Sequence, residues 1–149
     1  MKLSTNIITI AILLLSGVVS NAQVTCDSIA GIAGNYLNKG TENSIYISDG
    51  QVYRAFLQDD ESAEFNTTFF GGSTYRIAVS AGQREDYVIF DILDEQDMLL
   101  FTNANQGNAP YWDFKVTNTI QCKVQTRLDP NKKSSGCAIL LIGFEKKTY

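Results

Sequence analysis

The sequence predicts an all-β protein, an antiparallel, jelly-roll-like β-sandwich of about eight strands with a short N-terminal helix. Two observations carry this prediction. After Gly40, short segments rich in Tyr, Phe, Val, Ile and Thr alternate with clusters of Gly, Asp, Asn and Ser. Within those segments the apolar residues recur at every second position, the period of a strand with one buried face.

The N-terminus reads as an export signal. Lys2 supplies a positive start, Ile7 to Leu15 is an apolar run, and Ser20-Asn21-Ala22 places small residues at a peptidase site. Residues 1–22 are therefore expected to be removed, leaving residues 23–149 as a single domain. Lys2 leaves with the leader, which takes the net charge from −4 to −5. An acidic chain has no basic face with which to displace counterions from nucleic acid, so that partner class is excluded. No later run is long enough to cross a bilayer. The expected location is secreted or periplasmic, in the cell envelope.

Asp27 or Ser28 is placed to cap a helix over about residues 27–38. Ile29, Ile32, Ala33, Tyr36 and Leu37 recur on one face, and Gly40 stands where such a helix stops. Strand segments follow at about 44–48, 51–58, 63–70, 74–80, 86–93, 98–102, 111–117, 119–128 and 137–144. Ser48-Asp49-Gly50, Gly71-Gly72, Ala81-Gly82, Asp94–Asp97 and Asp129-Pro130-Asn131 punctuate them.

The alternation assigns faces. Tyr75, Ile77 and Val79 point one way and Arg76 the other, while Val88, Phe90 and Ile92 oppose Ile89 and Asp91. Folding these two segments as a hairpin, with Ser80 opposite Tyr87, matches every apolar residue with another. It also sets Arg76 against Asp91 as a structural ion pair on the outer face. In 119–128, Ile120, Cys122, Val124 and Leu128 face inward. The segment 137–144 is apolar at nearly every position, as a central strand covered on both faces would be. In 110–116, Trp112, Phe114 and Val116 form the buried set. Tyr111 and Asp113 are left as candidate surface contacts beside an Asn- and Gly-rich loop.

Three cysteines, Cys26, Cys122 and Cys137, allow one disulfide in an oxidising compartment. A hairpin around Asp129-Pro130 brings Cys122 near Cys137, so that pair is the first expectation. A bond from Cys26 to either one competes with it.

Phe69-Phe70-Gly71-Gly72-Ser73-Thr74-Tyr75-Arg76-Ile77, Val88-Ile89-Phe90-Asp91-Ile92, Trp112-Asp113-Phe114 and Gly136–Phe144 together resemble small secreted β-sandwich proteins of Bacteroidota-type bacteria. More distantly, the pattern is similar to bacterial pre-peptidase C-terminal domains, the accessory modules of secreted enzymes. The resemblance covers about residues 65–144 and implies a sandwich without implying an activity. Where such modules carry Asp-x-Asp before an apolar strand, this chain has Glu85-Asp86-Tyr87.

The chain contains no histidine, which excludes Ser-His-Asp and Cys-His nucleophilic systems and histidine-based metal sites. No phosphate-binding or dinucleotide fingerprint occurs. Carboxylates remain, in Asp59-Asp60-Glu61 with Glu64 and in Asp94-Glu95-Gln96-Asp97. Acidic residues are ordinary in turns. A glycan-acting hydrolase would need two of them in a cleft, and a calcium-stabilised structural domain would need their oxygens to converge. The sequence thus points to a non-enzymatic binding or accessory module with no cofactor, whose partner is a protein or a glycan.

Overall fold

The computed structural model describes residues 24–148, so the proposed leader and its cleavage point lie outside the described residues. Among the described residues one α-helix, α1 (Val24–Leu37), precedes nine strands. These are β1 (Ser44–Ser48), β2 (Tyr53–Gln58), β3 (Ser62–Phe69), β4 (Ser73–Ser80), β5 (Val88–Leu93), β6 (Leu99–Thr102), β7 (Tyr111–Val116), β8 (Ile120–Leu128) and β9 (Ser135–Lys147). Each coincides with a segment expected from the alternation. None of the described helices is long and apolar enough to cross a membrane.

The strands form two antiparallel sheets, which makes the molecule an all-β sandwich. In sheet A the order is β9-β4-β7, with β1 and β2 end to end along the other edge of β9, β1 on residues 143–147 and β2 on residues 135–140. Sheet B runs β3-β8-β5-β6. The inward residues of both sheets, including Ile77, Val79, Phe90, Ile92, Val124, Leu140 and Ile142, make the main core. A second core lies on the outer face of sheet A, where Ile29, Ala33, Tyr36 and Leu37 of α1 pack on Ala78, Ile139 and Leu141. The unbroken apolar run of β9 is thereby explained: its even positions face sheet B and its odd positions face the helix.

The chain passes back and forth between the sheets, and β5–β6 is the one hairpin of consecutive paired strands among the described residues. Two expected pairings are therefore corrected. β4 pairs with β7 and β9, while β5 pairs with β6 and β8. Arg76 and Asp91 accordingly sit on different sheets and do not meet. The linking segment 81–87 is longer than a tight hairpin of roughly two to five residues and carries the chain across the sandwich. β8 likewise does not pair with β9. The inward parity held in each of these strands, because burial of one face fixes it without reference to the neighbour.

The disulfide expectation fails for the same reason. Cys122 faces the inter-sheet core, whereas Cys137 belongs to the outward set of β9 beneath α1. The bond joins Cys137 to Cys26 on the helix, with Cα atoms 5.7 Å apart. Cys122 is a buried free thiol.

The helix begins earlier than its expected caps, so Asp27 lies in its first turn. Gly40 is not the helix stop either. A side chain there would meet the Ser44 carbonyl at 2.7 Å, so the glycine admits the close approach of β1. Gly143 serves a similar need, since a Cβ would lie 2.8 Å from the Leu37 side chain that rests on it.

Candidate functional site

Arg76 pairs with a different aspartate from the one expected. On the outer face of sheet A, β4 and β7 set it directly opposite Asp113. Its Nε donates to Asp113 Oδ1 at 2.6 Å and its Nη2 to Oδ2 at 2.8 Å. Its Nη1 donates to the carbonyls of Tyr36, Leu37 and Lys39, at the C-terminal end of α1. The guanidinium lies between the rings of Tyr46 (3.9 Å) and Tyr111 (4.5 Å). A cation thus satisfies helix carbonyls that have no partner within the helix. Burial alone would lower the Arg76 pKa, but the Asp113 hydrogen bonds and charge outweigh it and raise it. Burial, followed by hydrogen bonding to Asp113, pushes the Tyr46 phenol up to about 12. With its side chain 5% exposed, Arg76 is a clamp between helix and sheet rather than a contact surface.

Tyr111 and Asp113, the candidate contact residues, belong to that clamp. Tyr111 is half-buried and stacks near Tyr36, while Asp113 is exposed on one side and tied to Arg76 on the other. Both border an open depression of about 400 Å³ lined by residues 109–113. Trp112 points the other way, half-buried against the main core, with its ring 5.6 Å from that of Phe101. Asp91 pairs instead with Arg127 on the outer face of sheet B.

One acidic cluster does border a cavity. Asp94, Glu95 and Asp97, together with Asn66, Thr68 and Lys123, line a polar hollow of about 450 Å³ on sheet B. Two of these carboxylates are already engaged. Asp94 Oδ1 accepts the backbone N–H groups of Gln96 and Met98, closing the β5–β6 turn, and Asp97 accepts from Lys123 at 2.5 Å. Among the described residues, no three His, Cys, Asp or Glu side chains are grouped to hold a metal ion. Burial, then the nearby Asp94 charge, pushes the Cys122 thiol up, away from a reactive thiolate.

A polar knot that the sequence reasoning missed fastens the loop after β6. Asn103 is fully buried, accepts from Phe90 N and donates to the Val88 and Ala109 carbonyls. Asn108 donates to Asp129 and to the Asp86 carbonyl. Burial would raise the Asp129 pKa, but the Asn108 and Asn131 hydrogen bonds and Lys132 outweigh it and hold it low. Asparagine in a loop gives no sequence signal that separates a buried bracket from a solvated turn.

An apolar groove lies at the open edge between β6 and β7. It measures about 530 Å³ and is lined by Phe69, Ile92, Leu100, Phe101, Phe114, Val116 and Ile120, with Lys115 on it. A register shift between Ile92 and Leu93 leaves Leu100 without an opposite residue, and Leu100 and Phe101 both line the groove. Met98, Leu99 and Leu100 are 65%, 57% and 49% exposed, three consecutive apolar side chains on a free edge. The sequence reading placed a strand here without recognising its exposure. Its one available signal was that residues 98–101 break the alternation that the other outer strands keep.

No protein-family model matches the chain, and no curated protein is similar to it in sequence. Among solved structures, the crystal structure of Aeromonas hydrophila PliG, a periplasmic lysozyme inhibitor of g-type lysozyme, is similar with a TM-score of 0.48 and 8% identity, over 68% of this chain and 86% of that one.

Proposed function

We propose that this chain is an exported, non-enzymatic binding protein, an accessory module whose partner is an extended apolar segment of another polypeptide. The segment adds to the free edge of β6 and sets its side chains in the β6–β7 groove. The observation that carries this reading is the exposed run Met98-Leu99-Leu100 on an unpaired edge beside an apolar hollow. Monomeric proteins blunt such edges with charge or cover them, so an edge left apolar suits strand addition. The acidic turn Asp94–Asp97 beside it favours a segment flanked by Lys or Arg. Export rests on the leader pattern and agrees with a disulfide that persists in oxidising compartments. The resemblance to accessory modules of secreted enzymes points the same way.

Titration of isotope-labelled protein with a lysine-flanked Val/Leu peptide tests the reading by NMR. Shifts are expected over residues 98–102 and 114–120, with β6 edge amides becoming protected from exchange. Leu100→Asp is expected to weaken binding by about tenfold or more, since it sets a charge where roughly 1.5 kcal/mol of apolar burial is gained. Equal binding by that variant, or turnover of a glycan panel by the purified protein, would overturn the reading.

A further inference from the structure

The two halves of α1 are held to sheet A by unlike means. In the second half Ala33, Tyr36 and Leu37 are buried against the sheet, and Arg76 Nη1 donates to the carbonyls of Tyr36 and Leu37. In residues 26–31 only Ile29 is buried among the described side chains. The Asp27–Arg54 ion pair of this half has side chains 83% and 49% exposed, and a pair so hydrated adds little. The strongest tie here is covalent, from Cys26 to Cys137.

Two glycines separate the halves. A Cβ on Gly31 or on Gly34 would meet no atom within 4 Å, and neither residue has the positive φ that calls for glycine. Packing therefore does not impose them, while inside a helix each weakens the helical state relative to alanine. The first half also borders open space. Ser28, Ile29 and Ile32 of the helix and Phe56, Gly136 and Cys137 of the sheet line a hollow of about 530 Å³, so this flank of α1 is not fully seated.

We infer that the first half of α1 is a redox latch. The Cys26–Cys137 bond holds residues 24–31 closed, and its reduction lets them unwind from the sheet at Gly31 and Gly34 while Arg76 keeps the far end clamped. The co-reactant is a dithiol. Its thiolate attacks the sulfur of Cys26, which is half-buried where Cys137 is 4% exposed. The disulfide breaks with its electron pair on Cys137, which takes up a proton. The second thiol of the reductant then displaces Cys26, leaving two protein thiols and one oxidised reductant. Opening turns the hollow into a cleft that ends at the Cys137 thiol. The latch lies on the helix side of sheet A and stands apart from the β6–β7 reading.

Hydrogen exchange of the intact protein, oxidised and in excess dithiothreitol, tests the latch. Oxidised, the amides of residues 28–32 are expected to be protected by about a hundredfold or more. Reduced, they should fall below about tenfold, while those of Ile77 and Val124 keep about a hundredfold or more. Gly31→Ala combined with Gly34→Ala is expected to restore protection of residues 28–32 in the reduced protein by about tenfold or more. A maleimide should then label Cys26 and Cys137 of the reduced parent and leave Cys122 unlabelled. Undiminished protection of residues 28–32 on reduction would overturn the inference. So would their loss together with Ile77 and Val124, an alanine variant no better protected than the parent, or a reduced Cys137 that resists labelling.

Discussion

The two outer faces of the sandwich are built on opposite terms. The outer face of sheet A is roofed by α1, bolted by Cys26–Cys137 and pinned by Arg76 at the helix end. On sheet B the outer face meets water, with Glu64, Lys123, Gln125 and Arg127 in cross-strand contact. Both faces carry an arginine bound to an aspartate, but the buried partner differs: the Arg76 side chain is 5% exposed against 36% for Asp113, whereas Arg127 is 36% exposed against 11% for Asp91. Only Arg76 also binds carbonyls at the helix end, so its pair joins two layers, while Arg127–Asp91 joins neighbouring strands of one sheet. What separates them is the layer above.

The largest effect should come from the covalent bolt. Replacing Cys26 and Cys137 together by Ala frees a loop spanning 111 residues, for which chain entropy gives a loss of about 4–5 kcal/mol. Denaturant unfolding measures the total, and hydrogen exchange locates it. Amides of α1 should exchange sooner than those of β8 and β5. Uniform acceleration in both sheets would mean that the roof and the sandwich are one cooperative unit, and the contrast between faces would fail.

The arginines come next. Arg76→Ala removes the partner of the part-exposed Asp113 and the donor to three carbonyls at the helix end, of which only that of Tyr36 keeps another donor, the Lys39 N–H, for a loss of about 3 kcal/mol. Arg127→Ala leaves the largely buried Asp91 carboxylate without its partner but strands no backbone group, a smaller loss of about 1–2 kcal/mol. Urea midpoints for the two variants, compared at constant slope, give the difference directly. Equal losses would show that the roof contributes nothing to the strength of the pair.

The same contrast explains what could be read in the sequence. Parity was legible throughout: Val88, Phe90 and Ile92 inward, Trp112 and Phe114 inward, Arg76 and Asp113 outward. Parity needs only that one face of a strand be buried, which is a local fact. Pairing was not legible, because it depends on which strands the long connections bring together. The hairpins assumed at 81–87 and 129–134 both cross between sheets, and with them went Arg76–Asp91 and Cys122–Cys137. The apolar run of β9 did show a strand covered on both faces, yet nothing in it named the helix as the second cover. For the candidate site, exposure of Met98–Leu100 could not be separated from burial, since apolar residues on both faces of a short strand suit either.

The smallest effect is the dependence on alkaline pH, and it too should belong to the roofed face. Tyr46 lies under the helix end beside Arg76, and its phenol is held neutral up to about 12, first by burial and then by Asp113. In the unfolded chain a tyrosine ionises near 10. Because the folded value is the higher one, the folded state keeps a proton that the unfolded state releases. The stabilisation is therefore fully present below about pH 10 and is lost as pH rises from there towards 12. Tyr36 is also raised, by burial and then by Glu85, so the parent slope over this range has more than one source on the same face. Tyr46→Phe isolates the Tyr46 share. The difference in unfolding free energy between parent and variant should be constant up to about pH 9.5 and should shift in the variant's favour above it. A difference that stays flat to pH 12 would mean that the Tyr46 ring reaches water in the folded state, and with it that the helix end does not seal the Arg76 clamp.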